Sequence, residues 1–474
     1  MAQTSELSSL LHTLTASIDI LKAEFVRQGV PEPSLCTSRP HPLDHISYLS
    51  PPRMYEAQRA ALGCLDRLRL LVENPFEAVV KTSFASGEMP GLRLAAQLDL
   101  HEILEEAEDP ETGEQLQVIA AKTGTNCSKL GSIRRLLITH RWFRETKPGY
   151  FANSRRSHTL KKGSQSYYVA KNMTYFVHGS ASKIPDLMTH PDERVRMSRD
   201  PASTGWNLYT NTPLPVFGAG GLLDTDSEEA EKFALAVAGF GSATNNAVVR
   251  DVPWIHLAKD MGAIVDVGGG QGTLCCDLAI ARIKSFIVQD LPSLKGAADK
   301  HVASRGLSNL VKFEGQNFFE PNRRHGTGSY VFVLADGMVS LHIPVRHTQL
   351  MYYAAVVHAW SDVEAARILD HLRDCLTDGK SKLLVIDSLV YPVTVSSDGR
   401  DIRTSLDALS GKDQYVPIPP PPFLPQEYGD NRQLAHNLNV CLLAFCNSFV
   451  RTYDRMEHLA RLAGMRIKAV HATR

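Results

Sequence analysis

The run Ile264-Val265-Asp266-Val267-Gly268-Gly269-Gly270-Gln271-Gly272-Thr273, which leads into Leu274-Cys275-Cys276-Asp277-Leu278-Ala279, constrains this chain more than any other feature. A short apolar run reads as a buried strand, and the helical stretch behind it can pack back only if the chain turns sharply in between. Glycine provides that turn and, having no Cβ, lets backbone approach a ligand closely. Similar apolar runs, Phe286 to Gln289 and Lys382 to Asp387, alternate with helical stretches. That alternation predicts an α/β unit with a mostly parallel sheet covered on both faces, and ligands in such sheets sit beyond the carboxyl ends of the strands. A glycine-rich loop alone does not fix the ligand. Asp290 closes the next strand about 20 residues further on, where a carboxylate can accept from both hydroxyls of a ribose. A dinucleotide fingerprint in the register Gly268-x-Gly270-x-x needs a third glycine where this chain has Thr273. The loop therefore suits a nucleoside cofactor that has no pyrophosphate to cradle.

At 474 residues the chain is too long for one ordinary core, so more than one domain is expected. We divide it into an N-terminal helical segment (1–60), a helical unit (61–245) and the sheet unit (246–474). In the first, Leu7, Leu11, Leu14, Ile18, Leu21 and Phe25 line one side of a helix and ask for a partner helix from the same subunit or from a second one. From Leu92 to Leu160 the pattern is helix, helix, a turn at Gly124, a helix carrying Leu130, Ile133, Leu136 and Leu137, then a hairpin around Pro148-Gly149-Tyr150-Phe151. This is a winged-helix layout, in which Arg134 and Arg135 lie where phosphate contacts can be made. The 51 basic and 51 acidic residues cancel, which argues against nucleic acid and favours a protein-contact module. Residues 161–255 read as helices with long connections. Six prolines between Val416 and Pro425 predict a stiff surface loop. Eight cysteines without C-x-x-C pairing read as reduced thiols, and the absence of a secretion signal or a long apolar run makes a cytoplasmic protein, away from membranes, the expectation.

Taken in order, Val-Asp-Val-Gly-Gly-Gly-Gln-Gly272, Gln289-Asp290-Leu291-Pro292 and His358-Ala359-Trp360-Ser361-Asp362 resemble the plant and fungal small-molecule O-methyltransferases of the caffeate and polyketide type. The winged-helix stretch, with Tyr150-Phe-Ala-Asn-Ser154, resembles that family too. The resemblance implies a Rossmann-like domain that binds S-adenosyl-L-methionine, preceded by a winged-helix domain that dimerises and contributes to the acceptor pocket. It also implies that Gly268, Gly269, Gly270 and Gly272 meet the methionine end of the cofactor, that Asp290 holds the ribose, and that Asn317 and Phe318 lie against the adenine. Relatives usually carry Asp where this chain has Asn317, which predicts weaker binding. Phe176, Trp206 and Asn437 stand at approximately matching acceptor-pocket positions. The expected substrate is a small aromatic hydroxyl compound.

Transfer of a methyl group to a hydroxyl requires removal of the hydroxyl proton. His358, expected at a strand end within His-x-Trp-x-Asp, is the candidate base, and Asp387 the carboxylate that orients it. A second acid present in some relatives aligns with Val450. Trp360 and Asp362 are expected to pack on and cap the following helix. Two departures stand out. About 20 extra residues lie near Gly328 to Gln349 and read as a loop insertion or a translated intron, in which Tyr330 to Leu334 competes with Met351 to Val357 for the fourth strand. The chain also stops at Arg474, before a last strand usual in relatives, which predicts an edge without a partner. A methyltransferase-like protein without activity and a winged-helix DNA-binding regulator are the competing readings.

Overall fold

The structure, a computed structural model, describes residues 5–217, 220–280, 285–335, 339–343, 351–352, 357–376, 381–426, 428 and 433–474. Helix α1 (Glu6–Gln28) begins at Ser5, whose hydroxyl accepts from the Ser8 amide, and ends at Gly29 in the left-handed region. It packs along α2 (Pro52–Val72) of the same chain. The face it buries is Leu10, Thr13, Ala16, Ser17, Ile20 and Glu24. Only part of the predicted stripe follows it inward: Leu14 and Leu21 join the cluster, whereas Leu7, Leu11 and Ile18 remain exposed. Ile402, Leu406, Leu424 and Tyr428 close over the same cluster. The proline-rich segment is thus packed against the N-terminal helices, not merely laid on the surface as expected. Helix α3 (Pro75–Phe84) buries no residue at all.

The helices and the hairpin read between Leu92 and Leu160 are present. Helices α4 (Glu88–Gln97), α5 (Leu100–Glu105), α6 (Leu116–Thr123) and α7 (Cys127–Thr139) surround strands β1 (Glu114–Gln115), β2 (Phe143–Lys147) and β3 (Tyr150–Asn153), which pair in the order β1-β3-β2. Gly124 ends α6 at φ 63° and Gly149 turns the hairpin at φ 79°, both in the region where glycine is favoured. Arg134 does not face outward. Its side chain is fully buried, with the guanidinium 4.4 Å from the centre of the Phe151 ring and 5.4 Å from that of Phe143. The phosphate contact suggested for it is therefore withdrawn, while Arg135 is exposed.

The large sheet is built from β4 (Ala263–Val267), β5 (Phe286–Asp290), β6 (Val311–Gly315), β7 (Tyr330–Ala335), β8 (Val339–Ile343), β9 (Met351–Tyr352), β10 (Lys382–Ile386) and β11 (Ala469–Ala472). Its order is β11-β8-β10-β7-β4-β5-β6, with β9 added in parallel against β4. Strands β10, β7, β4, β5 and β6 run parallel, and every residue of β4 and β5 is buried, as expected of strands covered on both faces.

Tyr330–Ala335 holds the central place between β4 and β10, so the fourth strand lies before the extra residues and not at 351–357. The extra segment in turn supplies β8, which pairs antiparallel with β10 on one side and with β11 on the other. The unpartnered C-terminal edge expected from the early stop is therefore not found at β8 and β10. Residues 336–338, 344–350 and 353–356 of this segment lie outside the described residues. Among the described residues, no helix is long and apolar enough to cross a membrane. All eight cysteines are free thiols, five of them buried.

Candidate active site

The glycine loop leaves β4 and enters the helix Thr273–Ile280, with Gly268, Gly270 and Gly272 at φ 69°, 54° and 76°. Open space lies where a Cβ on Gly270 would project, whereas a Cβ on Gly269 would fall 2.0 Å from the Asp266 carboxyl group. Asp290, at the end of β5, reaches back to this loop. Its Oδ2 accepts from the Gly270 amide at 2.9 Å and its Oδ1 from the Leu291 amide at 2.7 Å. Burial raises its pKa to about 6 against the opposing pull of those two N–H groups. Asp266 was missed in the sequence, although an acid inside an otherwise apolar strand was a visible signal. It is fully buried under the loop, takes a hydrogen bond from the Cys275 thiol at 3.1 Å, and burial lifts its carboxyl well above the usual range. A neutral Asp266 can support the loop without burying a charge.

The turn after β6 is stapled to the same place, since the Gln316 amide donates to the Asp290 carbonyl at 2.8 Å. Asn317 Oδ1 accepts from the Phe319 amide at 3.0 Å. Phe318 is buried, its ring 6.0 Å from that of Trp360 in an edge-on contact, and Phe319 lies 4.8 Å from the same indole. These contacts join the turn of Asn317 and Phe318 to the loop carrying His358.

His358 does not sit at a strand end. It lies in a 3-10 turn (Val357–Ala359), while Asp387 directly follows β10. Both side chains are buried, with Nδ1 2.7 Å from Asp387 Oδ1. The following helix, Asp362–Arg373, is capped by Ser361, whose hydroxyl takes the Glu364 amide while Glu364 bonds back. Asp362 is thus not the cap. It receives Arg451 at 2.9 Å and Arg455 at 3.4 Å. Val450 is buried with Leu442 and Cys446 and brings no carboxylate to the site.

Phe176 and Trp206 meet at 5.4 Å in an aromatic cluster with Phe233, Phe445 and Phe217. The Trp206 indole N–H is buried and has no hydrogen-bond partner among the described residues. Phe445 was not singled out beforehand. It shares the helix Gln433–Cys446 with Asn437, which is exposed about two turns earlier and is not brought into the cluster. A cavity of about 570 Å³ opens beside Tyr175, lined also by Arg93, His178 and Tyr209, between α4, α7 and the helix Thr174–Ser182.

No protein-family model matches the chain. Among curated proteins it is similar to the O-methyltransferase tpcA of Aspergillus fumigatus, 25% identical over 88% of this chain and 84% of that protein. It is also similar to 4-O-methyltransferase 1 of Phanerochaete chrysosporium, 24% identical over 99% of this chain and 96% of that one. Among solved structures, LepI in complex with S-adenosylmethionine superposes with a TM-score of 0.64 at 18% identity, over 88% of this chain and 92% of that one. OxaC in complex with S-adenosylhomocysteine and oxaline gives 0.63 at 15% identity, over 97% and 98%. Over nearly its whole length, then, the chain is a sequence relative of fungal O-methyltransferases, and its fold is that of proteins solved with S-adenosylmethionine and S-adenosylhomocysteine.

Proposed function

We propose that this chain is an S-adenosylmethionine-dependent O-methyltransferase whose acceptor is the hydroxyl of a small aromatic molecule, a secondary metabolite of polyketide type. The observation that carries the reading is the buried His358–Asp387 pair at 2.7 Å, whose Asp387 directly follows β10 of the sheet that also carries a glycine loop whose Gly270 amide is held by Asp290. Gly268, Gly269, Gly270 and Gly272 shape the cofactor cradle, Asp290 is the ribose acceptor, and Asn317 and Phe318 form the adenine wall. The cofactor, when bound, supplies an electrophilic methyl group. With its Nδ1 engaged by Asp387, the neutral imidazole carries its proton there and presents Nε2 as the basic atom. His358 takes the acceptor's hydroxyl proton at Nε2. A phenol near pKa ~10 yields a proton to an imidazole near ~6.5 at a cost of about 5 kcal/mol. Asp387 lowers that cost by facing the imidazolium as it forms, and aligned reactants contribute about 7–11 kcal/mol. Phe176 and Trp206 supply an apolar, water-excluding wall, and Asn437, which is exposed, stands outside it.

Residues 61–245 form the dimerisation and acceptor-side unit and residues 246–474 the cofactor unit. A homodimer fits the exposed apolar face of α3, where Phe76, Val79 and Phe84 are 76%, 65% and 81% exposed. Eight free thiols fit a reducing, cytoplasmic setting. Val450 favours one second reading, a dimeric binding protein of the same fold that holds the cofactor without turnover. Calorimetric titration with S-adenosylmethionine on the wild type and on Asp290→Ala tests the proposal, followed by a screen of phenolic acceptors with His358→Ala as control. Binding abolished by the first substitution and turnover abolished by the second support it. Binding without turnover on any acceptor favours the second reading, and no binding by folded protein overturns both.

A further inference from the structure

Away from the sheet, two imidazoles face each other in the winged-helix unit. His101 lies on α5 and His158 in the 3-10 turn Ser157–Leu160. His101 Nε2 and His158 Nδ1 are 3.1 Å apart, and a carboxylate oxygen of Glu105 lies within 4.8 Å of a ring nitrogen of each. The far nitrogen of each ring is also engaged, His101 Nδ1 with Glu102 Oε1 at 3.2 Å and His158 Nε2 with the Ser38 carbonyl oxygen. A carboxylate and a carbonyl can only accept, so each far nitrogen must carry the one hydrogen of its neutral ring. The two near nitrogens then point lone pairs at each other. That contact is repulsive unless a cation or an extra proton lies between them.

His101 is 4% exposed, and the far nitrogen of each ring is already held by the protein. A tetrahedral metal ion with nitrogens at about 2.0–2.1 Å holds two imidazole nitrogens about 3.3 Å from each other, close to the observed gap. Backing of ligating histidines by a carboxylate and a backbone carbonyl is also the usual outer arrangement of such ions. We propose that His101 Nε2, His158 Nδ1 and Glu105 bind a divalent transition-metal ion, Zn²⁺ by ligand type, with water in the fourth position on the exposed Glu105 side.

The site is structural. Through His158 and the Ser38 carbonyl it fastens the strap between α1 and α2 to the winged-helix unit, at a place where Ser38 also donates to Glu111 at 2.6 Å and Arg144 donates to the Cys36 carbonyl at 3.0 Å. The test uses the full chain without a polyhistidine tag, stripped with chelator, titrated with Zn²⁺ by calorimetry and with Co²⁺ by visible absorption. The expected result is one ion per chain, intense Co²⁺ bands of tetrahedral type, and a Tm that rises on adding Zn²⁺. His158→Gln and Glu105→Gln, at a half-buried and an exposed position, keep the fold by circular dichroism. His158→Gln weakens binding at least ~100-fold, since even outer partners are worth about 10–100-fold, and removes the Zn²⁺-induced rise in Tm. Failure of the wild type to bind a stoichiometric ion overturns the proposal. So does binding that survives unchanged in His158→Gln, which places the ion at other ligands.

Discussion

The cofactor affinity of this protein should fall in acid because of one carboxyl group. Asp290 is 7% exposed and has a pKa of about 6, against about 3.9 for a solvated aspartate. In the ribose-acceptor role proposed for it, the ionised form is the one that accepts from both hydroxyls. The apparent Kd for S-adenosylhomocysteine should therefore scale as one plus the ratio of protonated to ionised Asp290, which makes it about two-fold weaker at pH 6 and about 11-fold weaker at pH 5 than at pH 8. Stability moves the other way. A carboxyl whose folded pKa is raised contributes stability that is fully present below its unfolded pKa and lost as pH rises through the folded value. Above about pH 6 the ionised group thus burdens the empty fold by roughly 3 kcal/mol relative to a solvated one. Asp290→Asn, whose single oxygen can take only one of the Gly270 and Leu291 amides, should remove this fall in the Tm of the unliganded protein between about pH 4 and 6 while weakening binding and removing its pH dependence. Calorimetry from pH 4 to 8 on both proteins reads all three effects, with the variant correcting for titration of the ligand itself. An affinity that is flat with pH in the wild type, or that slopes equally in Asp290→Asn, refutes the assignment.

Asp387→Asn keeps the shape beside His358 but loses the charge that steadies its imidazolium. At 2.7 Å that charge is worth about 6 kcal/mol with an effective dielectric constant of ~20, so kcat on any accepted phenol should drop about 1,000-fold or more with cofactor Kd unchanged. A loss below five-fold would remove Asp387 from the mechanism. Arg134 is fully buried, its three guanidinium nitrogens have no hydrogen-bond partner among the described residues, and burial pulls its pKa down to about 9. Arg134→Met should therefore stabilise the protein by about 1–3 kcal/mol, read as a higher urea midpoint; a lower midpoint would mean that the contacts with Phe143 and Phe151 outweigh the buried charge. Phe76→Ser with Phe84→Ser should halve the mass seen by light scattering, and an unchanged mass would move the dimer contact away from α3.

Legibility of the sequence followed how local each physical cause was. The helices and hairpin between Leu92 and Leu160 were readable because glycines at 124 and 149 punctuate strong helical and strand periodicity. The Gly270–Asp290 contact was readable because a fixed strand-loop-helix-strand length brings the end of β5 beside the end of β4. Arg134 was not, because periodicity places a residue on a face without saying whether that face is covered, and here β2 and β3 fold over it. The α1 stripe was legible only in part for the same reason. Its partner is α2 of the same chain together with Ile402, Leu406, Leu424 and Tyr428, and only a long-range contact decides that Leu10 and Ile20 go inward while Leu11 and Ile18 do not. Phe445 escaped notice because the aromatic cluster is assembled from five separated segments, none of which is patterned for it.

The same distinction explains how His358 is held. Residues 336–356 separate the end of β7 at Ala335 from the turn that begins at Val357, so β7 does not position the histidine by simple continuity. The loop is instead held from the C-terminal side. Arg451, fully buried, donates through Nε to Asp362 and through Nη2 to the Trp360 carbonyl, each at 2.9 Å, and through Nη1 to the Val357 carbonyl. The Ser448 hydroxyl bonds the His358 carbonyl and the Trp360 carbonyl, the latter at 3.0 Å. Removing the guanidinium leaves two buried carbonyls and a carboxylate short of donors, at about 1–3 kcal/mol for each carbonyl. Arg451→Met should therefore destabilise the fold by several kcal/mol and lower turnover at least ~100-fold, while S-adenosylhomocysteine affinity, which depends on β4 and β5, stays within about two-fold. Ser448→Ala removes less and should lower turnover about 10-fold with a small change in Tm, which keeps the argument testable if the arginine variant does not fold. Turnover unchanged in Ser448→Ala and in a folded Arg451→Met would show that the segment before His358, and not the clamp behind it, sets the position of the base.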